Sequence, residues 1–393
     1  MHLSSRAVRD PQFPELNPPH QIPLVAASSF IFDSIEQGMA IFGGEEPGHI
    51  YGRFGNPTID AAAEKIAALE GHDLETAPAG LFCASGMAAI ATVFLGCCAP
   101  GQAVLTQADL YGGTTGLLEQ LAPRGITTIT ADLRDHNAVS ELLERHPEIR
   151  IIYVETPSNP TLRVTDLRAL AELAHAHGSL LVADNTFATP FVQRPLSLGA
   201  DIVVHSTTKF INGHGTGIAG AIVCKDPQLL REQLIPVYRL YGGNGNPWDA
   251  WLVLNGLKTL PLRMERHSEN ALEVAQYLQK HPEVARVNYP GLSDHPDRPV
   301  IDRQMELYGG MLSFELRGGT AAGMAFMNKI KFCTLTPTLG DVDTLVLHPA
   351  TMSHRGVAPE VRLAHGITDG LVRLSVGVEK VEDIIADLAQ AIG

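Results

Sequence analysis

Ile202-Val203-Val204-His205-Ser206-Thr207-Thr208-Lys209-Phe210-Ile211-Asn212-Gly213-His214-Gly215 reads as an apolar strand that runs into hydroxyl residues, a lysine and a glycine-rich turn. Three upstream stretches have the same form. Leu180-Leu181-Val182-Ala183 ends in Asp184-Asn185-Thr186, and Ile151-Ile152-Tyr153-Val154 ends in Glu155-Thr156-Pro157-Ser158-Asn159-Pro160. Leu81-Phe82-Cys83-Ala84 leads into Ser85-Gly86-Met87 and a helical stretch. Near-continuous apolar strands that alternate with helices predict a mostly parallel sheet covered on both faces. Ligands of open α/β sheets bind outside the carboxyl ends of the strands, which is where these polar residues fall.

Outward from this centre, the predicted strands are 81–84, 103–106, 127–130, 151–155, 180–184, 202–205 and 218–224. Predicted helices between them cover 87–95, 115–121, 139–145 and 165–177. Asn56-Pro57-Thr58 looks like a helix start, and Ile59, Ala62, Ala63, Ile66 and Leu69 then share one face as far as Gly71. A second unit begins near Gly256, with a long helical stretch at 263–280. Its apolar runs lie at 311–316 and 371–376, and further helices at 320–330 and 381–392. Before residue 57, Pro11, Pro14, Pro18, Pro19 and Pro23 predict an extended arm. The expected organisation is therefore an arm (1–57), an α/β domain (58–255) and an α+β C-terminal domain (256–393), with the strand order left open.

The 393 residues carry 29 Lys and Arg against 43 Asp and Glu, a net charge of −14. An acidic balance argues against nucleic acid, whose binders concentrate cations. No run of about 18 apolar residues suggests a membrane span. Met1 to Pro18 lacks the apolar stretch of a signal peptide. Five cysteines form no CxxC pair, and neither they nor His205, His214 and His348 have metal-ligand spacing. A cytoplasmic, disulfide-free protein without a metal is expected.

The strand-end residues each have two readings. Ser85-Gly86-Met87 is a tight turn or, with the free N–H groups of the helix behind it, a phosphate seat. Asp184 is a loop or capping residue, or a buried acid that needs a cationic partner. Lys209 is a solvated surface lysine, or a buried amine flanked by Ser206 and Thr208 and followed by Gly213, Gly215 and Gly217. One chemistry unites the second readings. An aldehyde cofactor with a phosphate tail needs a lysine for a Schiff base, a phosphate cup, and a carboxylate on its ring nitrogen. Lys209 follows Asp184 by 25 residues, with the cup before both.

With these motifs in this order, the chain resembles the Cys/Met-metabolism family of pyridoxal-phosphate enzymes. That family includes cystathionine γ-lyase and γ-synthase, methionine γ-lyase and the homoserine-ester sulfhydrylases. The resemblance runs from about Pro23 to the C-terminus. It is most specific at Ser206-Thr207-Thr208-Lys209-Phe210-Ile211-Asn212-Gly213-His214, and is similar again at Tyr51-Gly52-Arg53-Phe54-Gly55-Asn56-Pro57-Thr58. Tyr111-Gly112-Gly113-Thr114, Glu155 to Pro160, Asp184-Asn185-Thr186 and His348-Pro349-Ala350 also match. The resemblance implies a fold-type I transferase fold that binds pyridoxal 5′-phosphate on Lys209. It implies that Asp184 pairs with the ring nitrogen, that Tyr111 stacks on the ring, and that Asn159 meets its phenolic oxygen. Gly86, Met87, Ser206 and Thr208 would hold the phosphate, and Tyr51 and Arg53 would reach it from a neighbouring subunit. Arg373, with Thr338 and Asn159, would bind the substrate. Without the resemblance, Arg53, Tyr111 and Arg373 read as a surface ion-pair residue, a core aromatic and an exposed strand residue. A homotetramer, a dimer of dimers with shared sites, is implied.

The implied reaction is γ-elimination on a sulfur amino acid, L-cystathionine ahead of L-methionine. Lys209 would be the base and Tyr111 the proton donor to the leaving group. γ-Replacement on an O-acylhomoserine by a thiol is the alternative, since both reactions share every step up to the branch. The chain departs from its relatives at positions that bear on this branch. Gly113 stands where methionine γ-lyases typically carry Cys, and Tyr238-Arg239 where they usually place Lys-Asp. Pro337 stands where cystathionine γ-lyases tend to show Glu before Ser-Leu-Gly, and Thr115-Gly116 where some cystathionine enzymes carry Arg. Tyr241 to Trp251 matches no single member.

Overall fold

All seven runs read as strands in the first part of the chain are strands, and they share one sheet. The computed structural model describes residues 1–11 and 17–393, so Pro14 lies outside the described residues. The strands are β1 (Ala79–Cys83), β2 (Ala103–Thr106), β3 (Thr127–Thr130), β4 (Ile149–Glu155), β5 (Leu180–Asp184), β6 (Ile202–His205) and β7 (Gly220–Cys224). Their order is β1-β7-β6-β5-β4-β2-β3, parallel throughout except that β7 runs antiparallel to both its neighbours. β4, β5 and β6 are fully apolar in their centres and buried on both faces, as a parallel sheet between helices requires. Register aligns Glu155 with Asp184, and Asp184 with Val204, so three strand ends converge at one edge.

The helix Pro57–Glu70 starts where the sequence indicates. Asn56 caps it by accepting the N–H of Thr58, and Pro57 occupies a first-turn position whose missing N–H costs no helix bond. Its buried face, Ile59, Ala62, Ile66 and Leu69, packs against β1 and β7. The helix Gly86–Cys97 is capped by Ser85, whose hydroxyl accepts the N–H of Ala88.

A second sheet holds β8 (Val284–Asn288), β9 (Met311–Leu316), β10 (Thr334–Leu335), β11 (Leu345–Leu347) and β12 (Leu371–Ser375), in the order β10-β11-β12-β9-β8. β8, β10 and β11 had no sequence signal, because they are short or lie half-exposed at the sheet's edges. The helix Leu260–Gln279 serves both layers. Leu260 and Met264 pack into the core of the first sheet, and Ala271, Val274, Ala275 and Leu278 into that of the second. The point between residues 255 and 256 falls inside the Pro247–Leu257 helix. The stretch from Tyr241 to Trp251 closes the Ile235–Tyr241 helix on Gly242, runs beside the end of β1 and opens that next helix.

Among the described residues before 57, two stretches, Leu3–Val8 and Ile35–Gly43, are helical rather than extended. The prolines do not prevent this, since one helix precedes Pro11 and the other starts well after Pro23, capped by Ser34 onto Gln37. This segment is tied down by charge. Asp10 accepts from Lys65 at 2.6 Å and pairs with Lys258 at 2.7 Å, and the Lys65 side chain is almost wholly buried. Burial holds Lys65 below the usual lysine range, with Asp10 opposing that shift. Asp10→Ala strands a buried ammonium and should cost about 3–5 kcal/mol. The denaturation midpoint should fall accordingly, and Asp10→Ala/Lys65→Met should recover most of the loss.

Candidate active site

The converging strand ends open into a cavity of about 380 Å³, within the usual size range of small-molecule sites. Gly86, Met87, Tyr111, Asn159, Asp184, Ser206, Thr208, Lys209 and Arg373 all line it, drawn from both layers. Thr338 joins them through a hydrogen bond, its hydroxyl accepting from Lys209 Nζ at 3.0 Å. Tyr51 and Arg53 do not line this cavity. Tyr51 forms an isolated bridge to Ser29 and is exposed.

Lys209 sits in a tight turn between β6 and β7, where the Gly213 N–H donates to its carbonyl at 2.8 Å. Buried Arg263 grips the following residues by donating to the carbonyls of Phe210 and Ile211, and ties them to the Pro247–Leu257 helix by donating to the Gly256 carbonyl. The second layer meets the turn at Gly340 (φ +83°), where an added Cβ would lie 2.6 Å from the Phe210 nitrogen. Only glycine permits that approach and that backbone conformation. Burial pushes the Lys209 amine below its ordinary value, and the nearby Arg373 guanidinium pushes it the same way.

Arg373 lies on β12 and is 5% exposed. It donates to the carbonyls of Thr338 (3.1 Å) and Pro337 (3.3 Å) and, more distantly, to Asn159 Oδ1 (3.4 Å). No carboxylate among the described residues comes within 4.0 Å of it. Burial pulls its pKa down to about 10, so it remains charged at neutral pH. A buried guanidinium with spare donors is a ready partner for a planar carboxylate.

Asp184 has a partner on each oxygen. Thr186 N–H donates to Oδ1 at 3.0 Å, and the buried Tyr153 hydroxyl donates to Oδ2 at 3.1 Å. Burial raises its pKa, and these hydrogen bonds and His205 oppose the rise. Tyr153 was legible only as a strand residue, because a tyrosine inside an apolar run looks like core until the neighbouring strand is known. Burial, and then Asp184, drive its own pKa well up, which keeps the phenol a donor. Glu155 also carries a function the sequence did not announce. Both its oxygens accept the Tyr111 N–H (3.0 and 2.9 Å), which fixes the start of the helix behind Tyr111. Beneath the row, His205 and Asn185 both donate to Glu70 Oε1 at 2.7 Å, fully buried.

The fit to a phosphorylated aldehyde is testable on this cradle. The first N–H groups of a helix have no intrahelical acceptor, and here they belong to Gly86 and Met87 beside Ser206. A Cβ on Gly86 would lie 2.7 Å from Ser206 Cβ, so the cup is as narrow as backbone allows. The Thr208 hydroxyl already donates to the Ala219 carbonyl (3.1 Å) and accepts its N–H, so it would have to rotate to meet a phosphate. A buried carboxylate, a desolvated amine and an anion cup in one cavity fit pyridoxal phosphate.

The fold and this site define a pyridoxal-phosphate enzyme of the α/β class. The model of the family described as Cys/Met metabolism PLP-dependent enzyme matches residues 7–393, and the chain belongs to that family. An L-methionine γ-lyase from Fusobacterium nucleatum subsp. polymorphum is 46% identical over 94% of this chain and 93% of its own length. A cystathionine β-lyase from Coxiella burnetii is 41% identical over 100% of this chain and 98% of its own. The solved structure of cystathionine γ-synthase from Xanthomonas oryzae pv. oryzae, with aminoacrylate and cysteine, superposes with a TM-score of 0.93 at 39% identity. That match covers 100% of this chain and 98% of the other. No helix among the described residues is long and apolar enough to cross a membrane.

The Lys209 environment has a measurable consequence. Only the neutral amine condenses with an aldehyde, so the pH profile for loading the cofactor-free protein should reach half its maximum below 10.5. Arg373→Met should move that midpoint up but short of 10.5, because burial outweighs the guanidinium in lowering it. Stopped-flow absorbance of cofactor uptake reads both.

Proposed function

We propose that the chain catalyses γ-elimination on a sulfur amino acid, L-cystathionine or L-methionine, and releases 2-oxobutyrate, ammonia and a thiol. The observation that carries this reading is the buried Arg373, free of any carboxylate among the described residues and facing the desolvated Lys209 across one cavity. Pyridoxal phosphate, when bound, supplies the electron sink for the substrate's Cα.

The residues divide the remaining work. Arg373 takes the substrate α-carboxylate, and Thr338 holds Lys209 Nζ on the same side. The Lys209 amine, when free, would act as base at Cα and carry a proton at Cβ; its lowered pKa supplies the neutral form this needs. Tyr111, at the cavity mouth, donates a proton to the departing sulfur. Asp184 would hold the cofactor's ring nitrogen protonated, Asn159 would meet its phenolic oxygen, and Gly86, Met87 and Ser206 would hold its phosphate.

Tyr51 and Arg53 complete the phosphate cup of a neighbouring copy. Two features support this: neither residue lines its own chain's cavity, and the arm that carries them exposes Ile31 (97%), Ile35, Met39 and Phe42. Such an apolar face is the kind another subunit covers. A homotetramer built from two such dimers is the assembly proposed. Arg53→Ala should raise the cofactor dissociation constant about tenfold or more, as loss of a charge-assisted phosphate contact does; unchanged retention on dialysis would end the shared-site reading.

γ-Replacement on an O-acylhomoserine by a thiol is the second reading, favoured by the likeness to a cystathionine γ-synthase structure and served by the same residues. The deciding assay is 2-oxobutyrate release from L-cystathionine and from L-methionine. Turnover of either that is lost in Lys209→Ala is the expected result. No release from both, with consumption of an O-acylhomoserine in the presence of a thiol, would select replacement instead.

A further inference from the structure

We propose that Arg239 sets substrate specificity by binding a carboxylate at the far end of the substrate's γ-substituent, in the site that Arg53 helps to complete. The inference rests on the shared-site reading above and adds the substrate class. Arg53 and Arg239, distant in sequence, form a reciprocal clasp. Arg53 Nη1 donates to the Arg239 carbonyl at 2.7 Å, and Arg239 Nη2 donates to the Phe54 carbonyl at 3.0 Å. Both guanidinium groups lie against the Phe54 ring, 4.6 Å and 5.4 Å from its centroid. Whatever Arg53 reaches, Arg239 accompanies.

Charge makes the clasp informative. Two guanidinium groups held on one ring repel each other, and an aromatic face offsets only part of that. Elsewhere in the chain, Arg163, Arg194, Arg298 and Arg362 each pair with a carboxylate. Among the described residues, neither Arg53 nor Arg239 has a carboxylate within 4.0 Å. Asp60, on the first turn of the nearby helix, is held by His49 at 2.7 Å instead. The clasp is thus a paired cation that awaits anions from outside the chain.

The setting indicates where those anions arrive. Tyr51, Leu240 (79%) and Tyr241 (75%) around the clasp are exposed apolar side chains. The rim of the cavity presents exposed Tyr111 and Ile218. When two copies bring these surfaces together, water leaves both guanidinium groups and their attraction for an anion strengthens. The phosphate is one such anion and is matched by Arg53. Arg239 is left for a second one, and the α-carboxylate is already matched by Arg373. The remaining anion is a carboxylate on the leaving group, such as that of L-cystathionine or O-succinyl-L-homoserine. L-Methionine and O-acetyl-L-homoserine have none.

The test compares kcat/KM for 2-oxobutyrate formation on these four compounds, as the ratio of carboxylate-terminated to uncharged substrates. Arg239→Gln should lower that ratio about tenfold or more, chiefly through KM of the carboxylate-terminated compounds, and Arg239→Lys should keep most of it. In the wild-type protein the same ratio should fall as salt rises, which tests the proposal even if the variants fail to fold. A ratio unchanged by Arg239→Gln, or by salt, overturns the proposal. So does a loss of cofactor in Arg239→Gln equal to that in Arg53→Ala, which would assign both guanidinium groups to the phosphate. Cofactor loss in Arg53→Ala alone, with no change of ratio in Arg239→Gln, leaves the shared site standing and removes only this inference. Full cofactor retention in Arg53→Ala removes both.

Discussion

A buried carboxylate at the end of a buried strand is the constraint around which this structure is organised. Asp184 occupies the end of β5 between two other strands that also end in titratable residues, Glu155 and His205. Taking charge out of water there is unfavourable unless every acceptor finds a donor. Tyr153 and Thr186 serve Asp184, the Tyr111 backbone serves Glu155, and Glu70 accepts from His205 and Asn185. The hydrogen bonds that make burial tolerable also fix the aromatic and hydroxyl residues that face the cavity. Ser206, for instance, is held through its N–H to the Thr186 hydroxyl, which belongs to the Asp184 loop.

The second layer completes the site by supplying the opposite charge. Arg373 and Thr338 come from or beside the smaller sheet, and Gly340 lets that sheet's loop touch the Lys209 backbone. Because the cavity is closed by two packed layers, the Lys209 amine and the Arg373 guanidinium share one desolvated space, and burial, then the guanidinium, disfavours protonation of the lysine. The helix Leu260–Gln279 runs through both cores and couples the layers mechanically, while its Arg263 pins the turn that carries Lys209.

Much of this was legible from local pattern. β2, β3, β5, β6 and β9 fall where the sequence placed them; β2, β5, β6 and β9 do so because buried parallel or central strands are nearly continuous in hydrophobicity, whereas β3 is an exposed edge strand. The start of the Pro57–Glu70 helix follows from its cap, and Lys209 and Asp184 were identifiable as candidate chemistry-bearing residues from their motifs, Arg373 only through the family resemblance. What escaped were short strands, the two-residue edge strand β10 and the three-residue β11 inside the sheet, and the helices Leu3–Val8 and Ile35–Gly43, whose surrounding prolines do not occupy the helices themselves.

The sequence by itself determined the alternation of strand and helix, the polar residues at strand ends and the family, because these depend on residue type and spacing along the chain. Only the tertiary structure decided the strand order, the antiparallel placement of β7, and the contacts made across strands. Tyr153 became a partner of Asp184 through pairing of β4 with β5, and Arg239 a partner of Arg53 through a contact 186 residues apart. Such contacts join segments distant in the chain, and no local periodicity encodes which distant segment will arrive. The location of Tyr51 and Arg53 away from their own cavity is of the same kind: it is a property of the folded surface, visible only once the chain has closed on itself.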